Sequence, residues 1–519
     1  MQARWKLLTA LLTLLPLALA APSKPTTCQK TKVLVLGAGI AGITAAQQLA
    51  DNEIEDFIIV EYQDQIGGRL RSAQFGKNPK TGKPYTVELG ANWVQGLGGE
   101  DGHPENPIWT LVKKHKIKTA TSNFEQLSLF NGKGPANYEN KIKEWEEAYE
   151  EVEYRAGEMW VNNEQDRTFG AALRSVGWNA VNDMEKSTIE WLNMDWEYTF
   201  SPEESSTEMT TIAYNATFYQ FSEENEFVTD QRGFSTMMKE EAKTFLGPND
   251  KRLKLNTVVT KLDYSDKEVT AHFSNGGCVT AEYAICTFSL GVLQHNAVEF
   301  SPKLPQWKVD GIAGMQFGTY TKIFIQFPPE KAFWDKSQQF ALYADDYERG
   351  YYPIWQNLDH PDFHPGSGIF FVTVVNDQSH RAEQQSEEQT KAQALGVLKK
   401  MYPGVTIPEP IAFMHPRWTQ EKWTYGSFSN WPTGYSLDMH ANLRANLGRL
   451  WFAGEATNAQ YFGYMHGAYE EGKEAGIRIA KCLKGRTCHD RKRYEKLDGT
   501  NPERSQIREN GWLAVNFED

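Results

Sequence analysis

The stretch from Lys32 to Glu61 constrains this chain more than any other. Lys32-Val33-Leu34-Val35-Leu36 is an apolar, β-branched run that reads as a buried parallel strand. Gly37-Ala38-Gly39-Ile40-Ala41-Gly42 follows at once, and Ile43 to Ala50 continues as a helix. A second strand, Phe57-Ile58-Ile59-Val60, ends in Glu61. Together these pieces form a dinucleotide-binding unit. Gly37 permits the tight turn, Gly39 lets backbone approach a pyrophosphate, and Gly42 lets helix and strand pack closely. The helix start offers unpaired N–H groups and a positive dipole to phosphate. Glu61, 19 residues after Gly42, is placed to accept hydrogen bonds from ribose hydroxyls.

That unit does not separate a nicotinamide from a flavin. Gly67-Gly68-Arg69, six residues beyond Glu61, does so. It resembles the second fingerprint of the glutathione-reductase-like flavoproteins. There the arginine sits near the cofactor's phosphates, and the glycines let the chain pass close.

The rest of the chain bounds where such a protein works. Arg4 and Lys6 precede a mostly apolar run, Leu7 to Leu17, which ends in Ala18-Leu19-Ala20. Residues 1–20 therefore read as an export signal, too short to span a bilayer, which takes roughly 20 apolar residues. The expected mature protein is secreted, without a membrane span. Its net charge of −13 becomes −15 once the leader is removed, with 52 basic residues against 67 acidic. This balance argues against nucleic acid as a partner, because phosphate binding needs basic surface. A cationic substrate suits it. Five cysteines imply at least one unpaired thiol, and a bridge among Cys28, Cys482 and Cys488 is expected from the nearness of chain termini. No Cys/His spacing suggests a metal. Asn215-Ala216-Thr217 is a glycosylation sequon, expected on the surface of a glycoprotein.

Beyond residue 80 a specific likeness emerges. Glu88-Leu89-Gly90-Ala91-Asn92-Trp93, Leu290-Gly291-Val292-Leu293, Tyr320-Thr321-Lys322-Ile323-Phe324, Phe428-Ser429-Asn430-Trp431-Pro432, Phe452-Ala453-Gly454-Glu455 and Gly463-Tyr464-Met465-His466-Gly467-Ala468 occur in this order. In that order they resemble the flavin amine oxidases, most of all the plant-type, exported polyamine oxidases. The likeness runs from about Lys32 to Cys488. It implies an α/β fold, a glutathione-reductase-like FAD-binding Rossmann domain interleaved with an α+β substrate-binding domain. The flavin domain would take residues 30–117, 227–312 and 416–488. Residues 118–226 and 313–415 would build the substrate domain, leaving 489–519 as a polar, poorly ordered tail. Local patterns agree. Val269, Ala271 and Phe273 alternate with polar residues ahead of Asn275-Gly276, the signature of a type I′ hairpin turn. Glu139 to Trp160 reads as a charged helix whose Ile142, Trp145, Ala148 and Tyr149 form a packing face.

The resemblance also assigns roles. Lys322 matches the lysine that holds a water against the flavin's reactive nitrogen, although a lysine at a strand start is ordinarily solvated. Tyr320 flanks it. Phe428 and Tyr464 match the aromatic pair that sandwiches the amine. Glu455 matches an acid near the ribityl chain, and Val259 a backbone contact to adenine. Trp93, Met465 and, more weakly, Trp418 belong to the flavin surround, and the helix opened by Gly467-Ala468 directs its N-terminus at the ring. Glu197 matches one of two acids that recognise a polycation. At the other position, after Asn92-Trp93-Val94, this chain departs and carries Gln95.

The implied activity is oxidation of spermine, spermidine or acetylated polyamines with non-covalently bound FAD. Hydride passes from the carbon beside nitrogen to the flavin, and oxygen is reduced to hydrogen peroxide. The imine then hydrolyses to an aldehyde and a shorter amine. Ser427 stands where monoamine oxidases carry the cysteine that bonds their flavin, which disfavours that class. The alternatives are an L-amino-acid or other amine oxidase on the same fold, and a catalytically silent polyamine-binding flavoprotein.

Overall fold

The computed structural model describes residues 27–100, 102–162 and 164–485, with 507–508 and 511–512. The leader, most of the tail and Cys488 lie outside these residues. Two large sheets organise the rest. The first is eight-stranded and runs Leu253–Lys254, Phe57–Val60, Gln29–Leu36, Cys278–Cys286, Val269–Phe273, Val259–Tyr264, Glu299–Ser301, with Leu450–Phe452 also paired to Cys278–Cys286. Its strands come from three separate stretches of chain. Gln29–Leu36 pairs parallel with both Phe57–Val60 and Cys278–Cys286, so it lies inside the sheet. Its four terminal residues are fully buried, which explains an unbroken apolar run in place of alternation.

Helices Ile40–Asp51 and Met465–Leu483 pack on each other against this sheet. Their approach is close: a Cβ on Gly472 would lie 2.2 Å from the Ala41 carbonyl oxygen. Glycine there lets the later helix settle on the earlier one, which sets where its N-terminus, at Met465, points.

The second sheet is seven-stranded, in the order Ala412–Met414, Tyr320–Gln326, Ile369–Val375, Ile354–Asn357, Phe340–Ala344, Leu127–Asn131, Gly134–Pro135. Tyr320–Gln326 is flanked on both sides, by Ile369–Val375 and Ala412–Met414. A small sheet of Trp93–Gln95, Asn225–Val228 and Thr119–Thr121 carries two of the expected site residues. Helix Glu139–Asn162 buries Trp145, Ala148, Val152, Ala156 and Met159 at helical spacing, so its stripe is packing. Among the described residues no helix is long and apolar enough to cross a membrane.

Three expectations are corrected. Cys28 is bonded to Cys278, not to the C-terminal cysteines. The reason is sheet register: each precedes one of the paired residues Gln29 and Val279 on adjacent parallel strands. Cys482 is also disulfide-bonded, and Cys286 is free and buried. Asn215 is fully buried within helix Thr207–Phe218, so the sequon is not on the surface. The turn after Phe273 is not type I′. Phe273 N–H donates to the Gly277 carbonyl, Gly276 N–H donates to the Phe273 carbonyl, and positive φ falls on Gly276 but not Asn275. That is a three-residue loop closed by a glycine bulge.

Candidate active site

The glycine turn lies at the C-terminal edge of the parallel strands. Gly37 N–H donates to the Val60 carbonyl at 2.8 Å. A Cβ on Gly42 would stand 2.0 Å from the Gly37 carbonyl oxygen, and one on Gly68 would stand 3.1 Å from the Gly39 Cα. The two glycine fingerprints therefore meet back to back, and side chains would fill the space they leave. Helix Ile40–Asp51 starts at Gly39 without a side-chain cap, so no side chain satisfies its first N–H groups.

Glu61 sits beside this turn, accepting from Ala38 N–H at 2.7 Å and Gln63 N–H at 2.8 Å. Burial pushes its carboxyl upward, and those N–H bonds oppose the shift. Thr257 N–H donates to the Glu61 carbonyl, which brings the segment leading to Val259 to the same edge. An acid, an uncapped helix start and a cradle without side chains suit a ribose and a pyrophosphate. These residues fit FAD.

Arg69 reaches across this edge. Its guanidinium donates to the Ser427 carbonyl at 2.7 Å and to Glu455 at 2.8 Å. The other Glu455 oxygen accepts from the Ser429 hydroxyl and from Gly463 N–H. A small cleft lined by Arg69, Ser289, Gly454 and Glu455 opens beside this pair. Arg69 and Glu455 are thus paired with each other and tie the turn after Gly68 to the loops bearing Phe428 and Tyr464. Met465 begins the helix that follows Tyr464, again without a side-chain cap.

Lys322 is buried, contrary to the ordinary fate of a strand lysine. Its ammonium donates to the Gly90 carbonyl at 2.6 Å, Asn92 Oδ1 at 2.8 Å and the Glu88 carbonyl at 3.1 Å. Three acceptors match the three donors of an ammonium. Burial pushes Lys322 down and the Glu88 carboxyl up, while each resists the other's shift. Trp93 lies 5.5 Å from the Lys322 nitrogen. Asn92 and Glu88 were not singled out from the sequence, although both stand in the same motif as Trp93.

Alternation along strands brings the remaining residues together. Tyr320 shares a face with Lys322, and Gln95 with Trp93. Tyr320 stacks obliquely on Phe428 at 6.0 Å and lies within electrostatic reach of Glu197. Trp93 meets Trp196 edge-on at 5.8 Å. Glu197, next along, accepts from the Tyr464 hydroxyl at 2.6 Å and from the Gln95 amide at 3.0 and 3.1 Å. Burial raises the Glu197 carboxyl; the Tyr464 and Gln95 hydrogen bonds offset part of this. Gly463, next to Tyr464 in sequence, lies against Phe428, since a Cβ there would stand 3.3 Å from the Phe428 ring. The outlying expectation is Trp418, buried with its backbone N–H donating to the Glu383 carboxylate and its ring edge-on against Trp423. Ser427 accepts Tyr320 N–H through its hydroxyl and offers no thiol to a flavin.

The geometry thus sets a dinucleotide cradle beside an aromatic cluster that contains a buried lysine and a buried carboxyl group. Comparison with known proteins agrees. The sequence profile of flavin containing amine oxidoreductases matches residues 40–479. Polyamine oxidase 1 of Zea mays is 34% identical over 493 residues, covering 92% of this chain and 95% of its own. Polyamine oxidase 7 of Oryza sativa subsp. japonica is 34% identical over 85% of this chain and 93% of its own. Among solved structures, putrescine oxidase bound to putrescine superposes with a TM-score of 0.69 over 89% of this chain and 100% of its own, at 18% identity, a likeness of fold. The chain belongs to the flavin-containing amine oxidoreductase family, as an FAD-dependent amine oxidase.

Proposed function

We propose that this protein is a polyamine oxidase acting on spermine, spermidine or their acetylated forms. One observation carries this reading: Glu197 is a carboxylate held by Tyr464 and Gln95 inside an aromatic chamber. A buried anion without a countercharge is costly, and an ammonium group of an extended amine would supply that charge. The plant relatives named above are polyamine oxidases, which supports the same substrate class.

Bound FAD supplies a two-electron acceptor for the C–H bond beside the reacting nitrogen, and oxygen takes the electrons as hydrogen peroxide. The chain's residues set the conditions. Phe428, Tyr464 and Tyr320 wall the chamber and exclude water. That favours the neutral amine, whose lone pair must be free to push electrons out. Glu197 holds a distal ammonium and so fixes which carbon is presented. Lys322 supplies positive charge that favours an electron-rich reduced state. It holds a water only by giving up one of its three oxygens.

Gln95 shapes selectivity. Its amide donates to Glu197 and adds no negative charge. The chamber then carries a single acid there, which suits a substrate with one uncharged nitrogen, such as an acetylated polyamine. Export is part of the proposal, supported by the Cys28–Cys278 bridge, which needs an oxidising compartment.

A peroxide assay across spermine, spermidine, their acetylated forms, monoamines and amino acids tests this function, with products identified. Peroxide, an aldehyde and a shorter amine from the polyamines are expected. Peroxide from amino acids alone, or from nothing in the panel, would contradict the reading.

A further inference from the structure

We infer that His466 is a positioning residue: its uncharged ring backs Tyr464 and, through Asn106, holds Tyr464 and Gln95 in register as the two donors to Glu197. This rests on Glu197 being the amine-binding acid.

The network is continuous. The His466 ring stacks on Tyr464 at 5.0 Å with 18° between planes. One imidazole nitrogen, Nε2, lies 3.1 Å from the Thr217 hydroxyl and the other, Nδ1, 3.4 Å from the Asn106 amide nitrogen. Asn106 and Thr217 are fully buried. The Asn106 amide also donates to the carbonyls of Gln95 at 3.0 Å and Gly96 at 2.9 Å. One side chain thereby touches the backbone of one Glu197 donor and the ring behind the other. Asn106 is itself fixed, because its carbonyl oxygen caps helix Pro107–Lys114.

Asn106 gives its two hydrogens to the Gln95 and Gly96 carbonyls, and its nitrogen, 3.4 Å from His466 Nδ1, has no lone pair with which to accept. The arrangement therefore suits an Nδ1 without hydrogen and an Nε2–H facing Thr217. A second proton would set N–H against N–H in a buried site, and burial already drives the imidazole down to about 3. His466 is therefore no base for the substrate amine. It acts through Tyr464.

The test is a double-variant cycle on KM for spermine. His466→Phe keeps a ring behind Tyr464 and loses both nitrogen contacts. It should raise KM about three- to tenfold, the worth of about one hydrogen bond, with KM for oxygen and FAD content unchanged. In a Tyr464→Phe background the same change should be clearly smaller, because the hydroxyl it aligns is gone and only the path through Asn106 to Gln95 remains. KM within about twofold of wild type in His466→Phe, or effects that multiply fully in the double variant, would overturn the inference. Thr217→Val, which removes the Nε2 partner at nearly constant volume, gives the same cycle should His466→Phe not fold. A wild type that oxidises no amine would instead contradict the proposed function. The cycle is then read on spermine binding, followed by the flavin's visible absorbance.

Discussion

Lys322 and Glu197 are both buried titratable side chains of the candidate site, and the protein satisfies them in opposite ways. Lys322 gives its three hydrogens to three oxygens of the short segment Glu88–Asn92, two of them backbone carbonyls. Glu197 accepts from two neutral donors, a phenol and an amide. Backbone carbonyls can fully solvate an ammonium, so Lys322 is stapled into the scaffold whether or not a ligand is present. Neutral donors orient a carboxylate and leave its charge uncancelled. On the proposed function, recognition of a cation would be concentrated at Glu197, and electrostatic support for the reduced cofactor at Lys322.

Lys322→Met should separate these roles most sharply. It strands three buried acceptors, at about 1–3 kcal/mol for each that finds no other donor, and it removes the chamber's cation. Stopped-flow half-reactions should show reduction or reoxidation slowed by at least about a hundredfold, with chemical denaturation showing lower stability. Unchanged rates in both half-reactions would break the comparison on its cationic side.

Glu197→Gln should act on binding instead. A hydrogen-bonded charge pair is worth about 1.5–3 kcal/mol, so KM for spermine should rise about tenfold to a hundredfold, with a smaller change for a monoamine. The pH dependence follows from the raised Glu197 carboxyl. Below its folded value the acid is neutral and attracts no ammonium; as pH rises through that value, above the ordinary 4.5, affinity grows. The reacting nitrogen must also lose its proton, so kcat/KM for the amine should rise with pH. Glu197→Gln should remove the lower limb of that profile and keep the upper one, as initial rates across pH would show.

Gln95→Glu is the mildest probe. It adds a second acid against Glu197, so one of the two keeps a proton until the pH is raised. Spermine affinity at low salt should tighten by about three- to tenfold towards alkaline pH, with less change for an acetylated polyamine. Equal affinities in equilibrium titrations would show that Gln95 does not face the substrate.

The two halves of the site differ in how far the sequence discloses them. The cradle is backbone geometry written into one contiguous stretch. Gly39, Gly42 and Glu61 could be placed from spacing alone, because each answers a local steric or hydrogen-bonding need, whereas Gly68 came from the resemblance of Gly67-Gly68-Arg69 to a flavoprotein fingerprint. The chamber is side-chain geometry drawn from distant stretches: Gln95 and Glu197 are 102 residues apart, and Glu197 and Tyr464 are 267 apart. No local pattern predicts such meetings, and the family resemblance supplied those residues. The acceptors of Lys322 show why. A lysine early in a strand reads as solvated, and only the docking of Glu88–Asn92 against that face makes its burial affordable. Cys28 was misjudged for a related reason. Its partner is chosen by the register of two strands 250 residues apart in sequence, which closeness of chain ends does not reveal.

Anaerobic addition of spermine to the purified, FAD-loaded wild type, beside Glu197→Gln, tests the central claim most directly. Wild type should lose its visible flavin band within the mixing experiment, at a half-saturating spermine concentration well below that of the variant, and regain it when oxygen is admitted. A band that spermine leaves unbleached, or equal half-saturation in the two proteins, would contradict the account.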